Sequence, residues 1–237
     1  MSTANLSSLS ILTNIITAPL QAFAALKERP TSWLPLLILI VSYSAVTGAY
    51  ITSVDLPWML DQALQQAQGI PQAQREQALQ AALKISPSVY AAIYIVAFAI
   101  LIPVVFAVTA LYSSAVSFAT GDGVKFKQWF ALAPWCAIPI VFGIVAALVH
   151  VLGGDVRFTR QEELNPFSFG NLLGVDMVNV TRLQRVLLSL DPTVVWWLVL
   201  SIVGYQTFTK RSLAFSAAVV LGPIAVIIAI GTLLALR

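Results

Sequence analysis

The sequence GDGVKFKQWFALAPWCAIPIVFGIVAALVHVL, residues 121–152, decides the fold class of this chain. A Gly-Asp-Gly turn and a short basic, aromatic segment lead into residues 131–152, which contain no Asp, Glu, Lys or Arg. At about 1.5 Å per residue, a helix over this run is long enough to cross a hydrocarbon core of ~30 Å. The run therefore predicts a transmembrane helix that begins after a basic turn.

The composition of the whole chain predicts the same environment. Of its 237 residues, 59% are hydrophobic and only 10% are charged, and the mean hydropathy is +0.87. Because soluble domains contain about 25% charged residues, the chain is predicted to be an all-α polytopic membrane protein. The pI is near 9.2, but the basic residues lie in short clusters beside apolar runs, as positive-inside bias predicts. No nucleic-acid partner is expected.

Five apolar runs predict five transmembrane helices, at residues 33–54, 89–112, 131–152, 193–209 and 212–236. Short interfacial and extracytoplasmic helices are expected between them: two surface helices within residues 55–87, and one helix resting on the membrane at residues 177–190. Pro103 is expected to kink the second span, and Gly222-Pro223 is expected to break the fifth. Ser44 and Gly48 form a small-xxx-small pair, which predicts close packing of the first span against a neighbour.

Residues 1–31 predict a cytoplasmic amphipathic segment ahead of a five-span membrane domain at residues 32–237. One apolar stripe with three- and four-residue spacing consists of Leu6, Leu9, Leu12, Ile15 and Ile16. Thr17 and Pro19 indicate the start of a second short helix, which should stop at Pro30. The segment lacks a basic n-region, so a cleaved signal peptide is not expected. A helix lying in the interface suits the many hydroxyl residues better than a sixth span at residues 6–26, which is the alternative.

Charge predicts the orientation of the helices. Short segments close to the span ends carry six basic residues on one side: Lys27, Arg29, Lys125, Lys127, Lys210 and Arg211. Positive charge near span ends stays in the cytoplasm, so the N-terminus is expected there and the C-terminus outside.

Few residues suggest catalysis or metal binding. All charged residues lie outside the five predicted spans, whereas ion-coupled transporters keep an ionisable group at membrane depth. His150, near the outer end of the third span, is the only histidine, and Cys136 is the only cysteine. Glu162-Glu163 lacks neighbouring histidines and is expected in a solvated loop. The sequence therefore predicts no catalytic, cofactor or metal site, and no enzyme.

One cluster suggests a partner. A candidate cytoplasmic face for lipids or partners consists of Lys125, Phe126, Lys127, Trp129, Lys210 and Arg211. Basic residues near the surface attract anionic headgroups, and aromatic rings anchor at the same depth. The expected partners are the lipid bilayer and either anionic lipids or another membrane protein; the oligomeric state is left open. In the alternative interpretation, these charges only orient the helices.

Three stretches of the chain resemble a known family. They are TAPLQAF followed by KERPTSWLPLLIL (residues 17–23 and 27–39), GDGVKFKQWFALAPWCAIPIV (residues 121–141), and the Trp196-Trp197 helix with Gly204-Tyr205 and the hairpin through Lys210. In order and spacing they resemble the bacterial branch of the Yip1-domain membrane proteins, over about residues 17–235.

The resemblance implies a multi-pass protein of the bacterial inner membrane that is not an enzyme and that organises membrane or protein partners. Eukaryotic relatives are implicated in vesicle traffic and in contact with prenylated small GTPases, and this chain departs from them in its very short cytoplasmic N-terminus. The alternative function is a small-solute or lipid transporter, or a subunit of one, with helices broken at Pro103 and Gly222-Pro223 around a polar pathway.

Overall fold

The computed structural model describes residues 6–66, 71–175, 184 and 190–235, and within these residues every regular element is a helix. The all-α prediction is therefore confirmed. The α-helices are α1 (Ser8–Thr17), α2 (Pro19–Glu28), α3 (Trp33–Ser53), α4 (Leu56–Gln66), α5 (Gln72–Ala82), α6 (Pro87–Thr120), α7 (Phe126–Cys136), α8 (Ile140–Gly153), α9 (Phe169–Leu172), α10 (Pro192–Thr209) and α11 (Leu213–Ala235). A 3₁₀ turn covers Gln161–Glu163.

Length and composition identify two of these helices as candidate membrane spans. They are α3 and α6, and the bent pair α7 and α8 makes a third if it is counted as one span. Leu213–Ile227, within α11, is a shorter apolar helix. The described residues thus support two or three of the five predicted spans.

The structure contradicts the break predicted at Gly222-Pro223, whereas the kink predicted at Pro103 stays a prediction. Helix α6 runs unbroken through Pro103 and continues to Thr120, so the polar tail after residue 112 is helical. Helix α11 also continues through Pro223, and the predicted break at Gly222-Pro223 is wrong. The break falls instead in the third predicted span, between Cys136 and Ile140, where Pro139 follows the end of α7. A proline inside a helix removes one hydrogen bond, a loss that neighbouring groups in a membrane protein can offset.

The chain divides into two units by its internal contacts. The first unit comprises Met1–Ile38, Ile102–Ile140 and Thr193–Arg237, and the second comprises Leu39–Leu101 and Val141–Pro192. Helices α3 and α6 each contribute residues to both units.

The first unit has an aromatic core between its N-terminal helices, α7 and the last two helices. Its largest fully buried side chains include Phe23 from α2, Trp135 from α7, and Tyr205 and Phe208 from α10. Helix α7 is central because its residues at three- and four-residue spacing are all buried: Trp129, Leu132, Trp135 and Cys136. One face of α7 therefore packs inward along its whole length.

The N-terminal segment forms two short helices, as predicted, but their details differ. The side chain of Thr17 donates to Thr13 O instead of capping, and Ala18 occupies the N-cap of α2. The buried residues of α1 are Ile11 and Ile15, whereas Leu9 is 68% exposed, so the predicted stripe is only partly correct. The packing partners of so short a helix determine which side is buried. The spacing of its apolar residues does not identify those partners.

Close helix packing occurs at a glycine that the small-residue pattern did not identify. A Cβ atom at Gly204 of α10 would lie 2.8 Å from Leu132 Cδ1 of α7, so only glycine fits this contact without a shift. At Gly48 of α3, by contrast, an added Cβ would meet nothing within 4 Å. The prediction of close packing at Gly48 is therefore wrong.

The second unit contains the predicted pair of surface helices, α4 and α5. Asp55 caps α4, since its Oδ1 accepts from Trp58 N at 3.0 Å, and Asp55 N donates to Arg157 O at 2.9 Å. Tyr50 Oη donates to Thr159 O at 2.8 Å, which ties the end of α3 to the same segment after α8. The helix predicted at residues 177–190 lies almost entirely outside the described residues.

Candidate functional site

The glycine turn after α6 is closed by hydrogen bonds to the end of that helix. Gly121 and Gly123 have φ values of 72° and 69°, in the left-handed region that glycine adopts at little cost. Asp122 N donates to Ser117 O at 3.0 Å, and Gly121 N donates to Phe118 O at 3.3 Å. These bonds satisfy carbonyl groups that a helix terminus leaves free, and the turn fixes the position of Asp122.

The turn between α10 and α11 also contains a residue in the left-handed region, but this residue is a lysine and not a glycine. Lys210 has a φ of 63°, and its N–H donates to Gln206 O at 2.8 Å. Arg211 N donates to Thr209 Oγ1 at 3.3 Å. The chain therefore reverses within three residues and directs the Arg211 side chain toward the glycine turn, consistent with the predicted tight hairpin.

An ion pair joins the two turns, and we call this contact the turn clasp. Arg211 Nε donates to Asp122 Oδ1 at 2.7 Å, a second guanidinium nitrogen donates to Thr120 O, and Thr120 Oγ1 donates to Asp122 Oδ2. The Asp122 side chain is only 3% exposed, whereas that of Arg211 is 41% exposed. Burial acts to raise the pKa of Asp122, but hydrogen bonds from Thr120 and Arg211 and the nearby positive charges outweigh it and lower the pKa. Asp122 is therefore ionised at neutral pH.

The turn clasp brings together most of the residues predicted to form the cytoplasmic face. Lys125, Lys127 and Lys210 are exposed and flank the two joined turns. Phe126 is 41% exposed and stacks on Phe130 with ring centroids 5.8 Å apart. We call Lys125, Phe126, Lys127, Lys210 and Arg211 the basic face.

Trp129 does not belong to this face. Only 2% of it is exposed, and its ring stacks on Tyr205 at 4.9 Å and contacts Phe208 at 5.5 Å. Its position three residues after Phe126 turns the indole toward the core, where it continues the buried stripe of α7. The expectation that Trp129 anchors at the membrane surface does not fit this placement.

The structure adds contacts that sequence reasoning missed. The ammonium group of Lys27 donates to Phe208 O in the last turn of α10, where a positive charge also interacts favourably with the helix dipole. Gln128 Nε2 donates to Lys27 O at 2.7 Å, and Trp135 Nε1 donates to Thr31 O at 2.7 Å. These three bonds fasten the end of α2 to α7 and α10. No spacing in the sequence indicates them, because they join segments about a hundred or more residues apart.

Among the described residues, no group of three or more His, Cys, Asp or Glu side chains could hold a metal ion. Cys136 is buried in the core, and His150 lies exposed in the last turn of α8. In the second unit, burial raises the pKa of Glu163 against the opposing effect of Arg160.

Shallow clefts occur in both units. In the first unit, a cleft of about 410 Å³ lies beside the glycine turn and is lined by Ser114, Ser117, Phe118, Gly121, Gly123 and Val124. In the second, a cleft of about 530 Å³ between α4 and α5 is lined mainly by polar side chains, among them Asp61, Arg75 and Glu76.

Comparison with known proteins gives one match. A model of the Yip1 domain matches residues 13–235. The range agrees closely with the resemblance over residues 17–235 in the sequence. No curated protein and no solved structure matches the chain.

Proposed function

Because the chain belongs to the Yip1 family of membrane proteins, we propose that it is a non-enzymatic membrane protein that organises lipid or protein partners through its basic face. The observation that carries this proposal is the turn clasp between Arg211 and Asp122. It holds two lysine-bearing turns together and leaves Lys125, Lys127 and Lys210 exposed.

The chemistry of the basic face suits an anionic partner. Each basic residue near a membrane surface attracts anionic lipid with about 1 kcal/mol, so three exposed lysines supply roughly 3 kcal/mol at low ionic strength. The fourth cation, Arg211, neutralises Asp122, and the carboxylate therefore subtracts little from this attraction. Phe126 adds an exposed aromatic ring next to two of the lysines.

The proposed arrangement in the membrane has five spans, with the N-terminus in the cytoplasm and the C-terminus outside the bacterial inner membrane. Its support is that Lys27 donates to Phe208 O and accepts from Gln128, which brings the basic segment before α3 to the same end of the first unit as the basic face. Positive residues near span ends are retained in the cytoplasm. The basic face would then lie at the cytoplasmic leaflet, where anionic headgroups attract basic residues.

The transporter alternative gains no specific support. It relied on helices broken at Pro103 and Gly222-Pro223, and α6 and α11 both continue through these positions. We therefore retain the organising role as the proposed function.

The test is the double substitution Lys125→Gln with Lys127→Gln. Both residues are exposed and outside the core, and Lys27, Arg29, Lys210 and Arg211 still orient the helices, so normal insertion is expected. We expect reduced co-purification of anionic lipid or of a protein partner from native membranes, measured by mass spectrometry, with a loss that depends on ionic strength.

The matched control is Arg75→Gln with Lys84→Gln, which removes the same charge from the surface segment of the second unit. The lipids and proteins that co-purify with this control variant should match those that co-purify with the unchanged chain. Unchanged co-purification in the Lys125 and Lys127 variant would show that these charges serve only as an orientation signal.

A further inference from the structure

The N-terminal helix pair has a second apolar side that the first unit does not bury. Ile11 and Ile15 of α1 face the core, whereas Leu9 is 68% exposed and Ile16 is 37% exposed. Leu9 and Ile16 are seven residues apart, which is about two helical turns, so they share one side of α1. In α2, Leu20 is 61% exposed. We call Leu9, Ile16 and Leu20 the outer face.

The segment that carries the outer face has no charged side chains of its own. The sequence contains no charged side chain before Lys27, whereas a helix that faces water usually carries charged residues there. The exposed polar side chains of this side include Thr13 and Thr17, and both hydroxyls donate within α1, to Ser10 O at 3.0 Å and to Thr13 O at 3.0 Å. Their donors are therefore already satisfied, and no free charge has to be solvated. Such a surface suits the low polarity between headgroups and acyl chains.

The helix pair is also fixed next to the start of a candidate span. Residues 29–32 link α2 to α3, which begins at Trp33, a residue that is 60% exposed. Tryptophan at a span end is typical of the membrane interface. The bonds of Lys27, Gln128 and Trp135 hold the end of α2 and the linker to α3 on α7 and α10.

We infer that the outer face is a lipid-contact surface, inserted between the headgroups and acyl chains of the leaflet at which α3 begins. This inference goes beyond the proposed function, because it requires neither anionic lipid nor a protein partner. The contact is apolar, so its strength should not depend on lipid charge or on salt.

The experiment uses the full chain with single cysteines at the outer face, Leu9→Cys, Ile16→Cys or Leu20→Cys, labelled with a polarity-sensitive fluorophore. The protein is reconstituted in vesicles of uncharged phosphatidylcholine that contain a nitroxide on the upper acyl chain. Cys136 is buried, so the unsubstituted chain serves as the labelling blank. The matched control is Glu28→Cys, at an exposed charged position on α2 itself.

We expect nitroxide quenching about threefold stronger at the outer-face positions than at position 28, and iodide quenching correspondingly weaker, at low and at high salt. Iodide quenching equal to that at position 28 would place the outer face in water and overturn the inference. Protection from both iodide and nitroxide would show that a second copy or another protein covers it, which also overturns it. Three independent label positions guard against one variant that fails to fold. Because the vesicles contain no anionic lipid, failure of the basic-face proposal leaves this result unaffected.

Discussion

At the scale of single residues, two glycines show that a pattern of small residues does not by itself locate close helix packing. Ser44 and Gly48 matched the spacing of a packing motif, yet an added Cβ at Gly48 meets no atom within 4 Å. Gly204 matched no such pattern and lies against Leu132. The difference arises because a small residue permits close approach, whereas the approach itself depends on which helix lies opposite, and a single sequence does not specify that neighbour.

This contrast predicts opposite effects of one substitution. Gly204→Ala should lower the free energy of unfolding by about 1–3 kcal/mol, because the new methyl group must displace Leu132 in a packed core. Gly48→Ala should leave it unchanged or raise it by up to about 1 kcal/mol, because alanine favours the helix and the site is open. Thermal unfolding of both variants in detergent micelles tests the pair. Equal effects at the two positions would contradict the packing found at Gly204.

Trp129 illustrates the same limit in a site residue. Its neighbours Lys125, Phe126 and Lys127 suggested an interfacial ring, but the indole is stacked on Tyr205 in the core. A helical reading of α7 from Trp129 through Leu132 to Trp135 would have indicated this, since these residues share one apolar face with three-residue spacing. The charged neighbours favour the interface and the periodicity favours the core, and the buried position of Trp129 follows the periodicity.

At the scale of elements, the turn clasp is expected to make the free energy of unfolding depend on pH. Arg211→Gln leaves the buried Asp122 carboxylate without its cation, which should cost about 1–3 kcal/mol of the free energy of unfolding at pH 7. The folded-state pKa of Asp122 is lowered. The clasp therefore stabilises fully above the pKa of an unfolded aspartate, about 3.9, and its contribution disappears as the pH falls through the lower folded-state value.

The measurement compares thermal unfolding of Arg211→Gln and of the unchanged chain at pH 7 and in steps below about pH 3.9, the pKa of an unfolded aspartate. The difference in stability should be large at pH 7 and should shrink in acid, where the Asp122 carboxyl becomes protonated. The matched control is Lys210→Gln, which removes one charge from the adjacent exposed residue and should change stability by less than about 0.5 kcal/mol. A difference that stays constant with pH would mean that Arg211 stabilises through its contact with Phe215, 5.7 Å from the guanidinium, and not through Asp122.

The prolines show how context decides the shape of a helix. Pro103 and Pro223 lie within continuous helices, whereas the chain leaves the helical path just before Pro139. Proline excludes the preceding residue from helical geometry only as a tendency, and surrounding packing determines whether the helix bends or ends. The sequence could therefore mark candidate break points but could not rank them.

At the scale of the whole molecule, features set by composition and long-range periodicity were predictable. The all-α class, the pair of short N-terminal helices, the helices α4 and α5, and the Yip1 match over residues 13–235 all follow from apolar runs, capping residues and motif order. Features set by contacts between distant segments were not, including the bonds of Lys27 and Gln128 and the Arg211–Asp122 pair. These contacts depend on which helices lie next to each other in the folded chain. No local pattern in the sequence specifies that arrangement.

The proposed topology is tested by truncation fusions to a reporter that is active only in the cytoplasm. With five spans and a cytoplasmic N-terminus, fusions after Arg29, Gly123 and Lys210 should be active, and fusions after Lys84, Gly154 and Arg237 should be silent. The basic clusters near Lys27, Lys125 and Lys210 are the physical cause of this alternation, because positive residues resist translocation. An N-terminal tag that is accessible to protease only from outside would show that residues 6–26 cross the membrane as a sixth span. Activity after Arg237 would contradict the five-span arrangement, because an odd number of crossings must place the two termini on opposite sides.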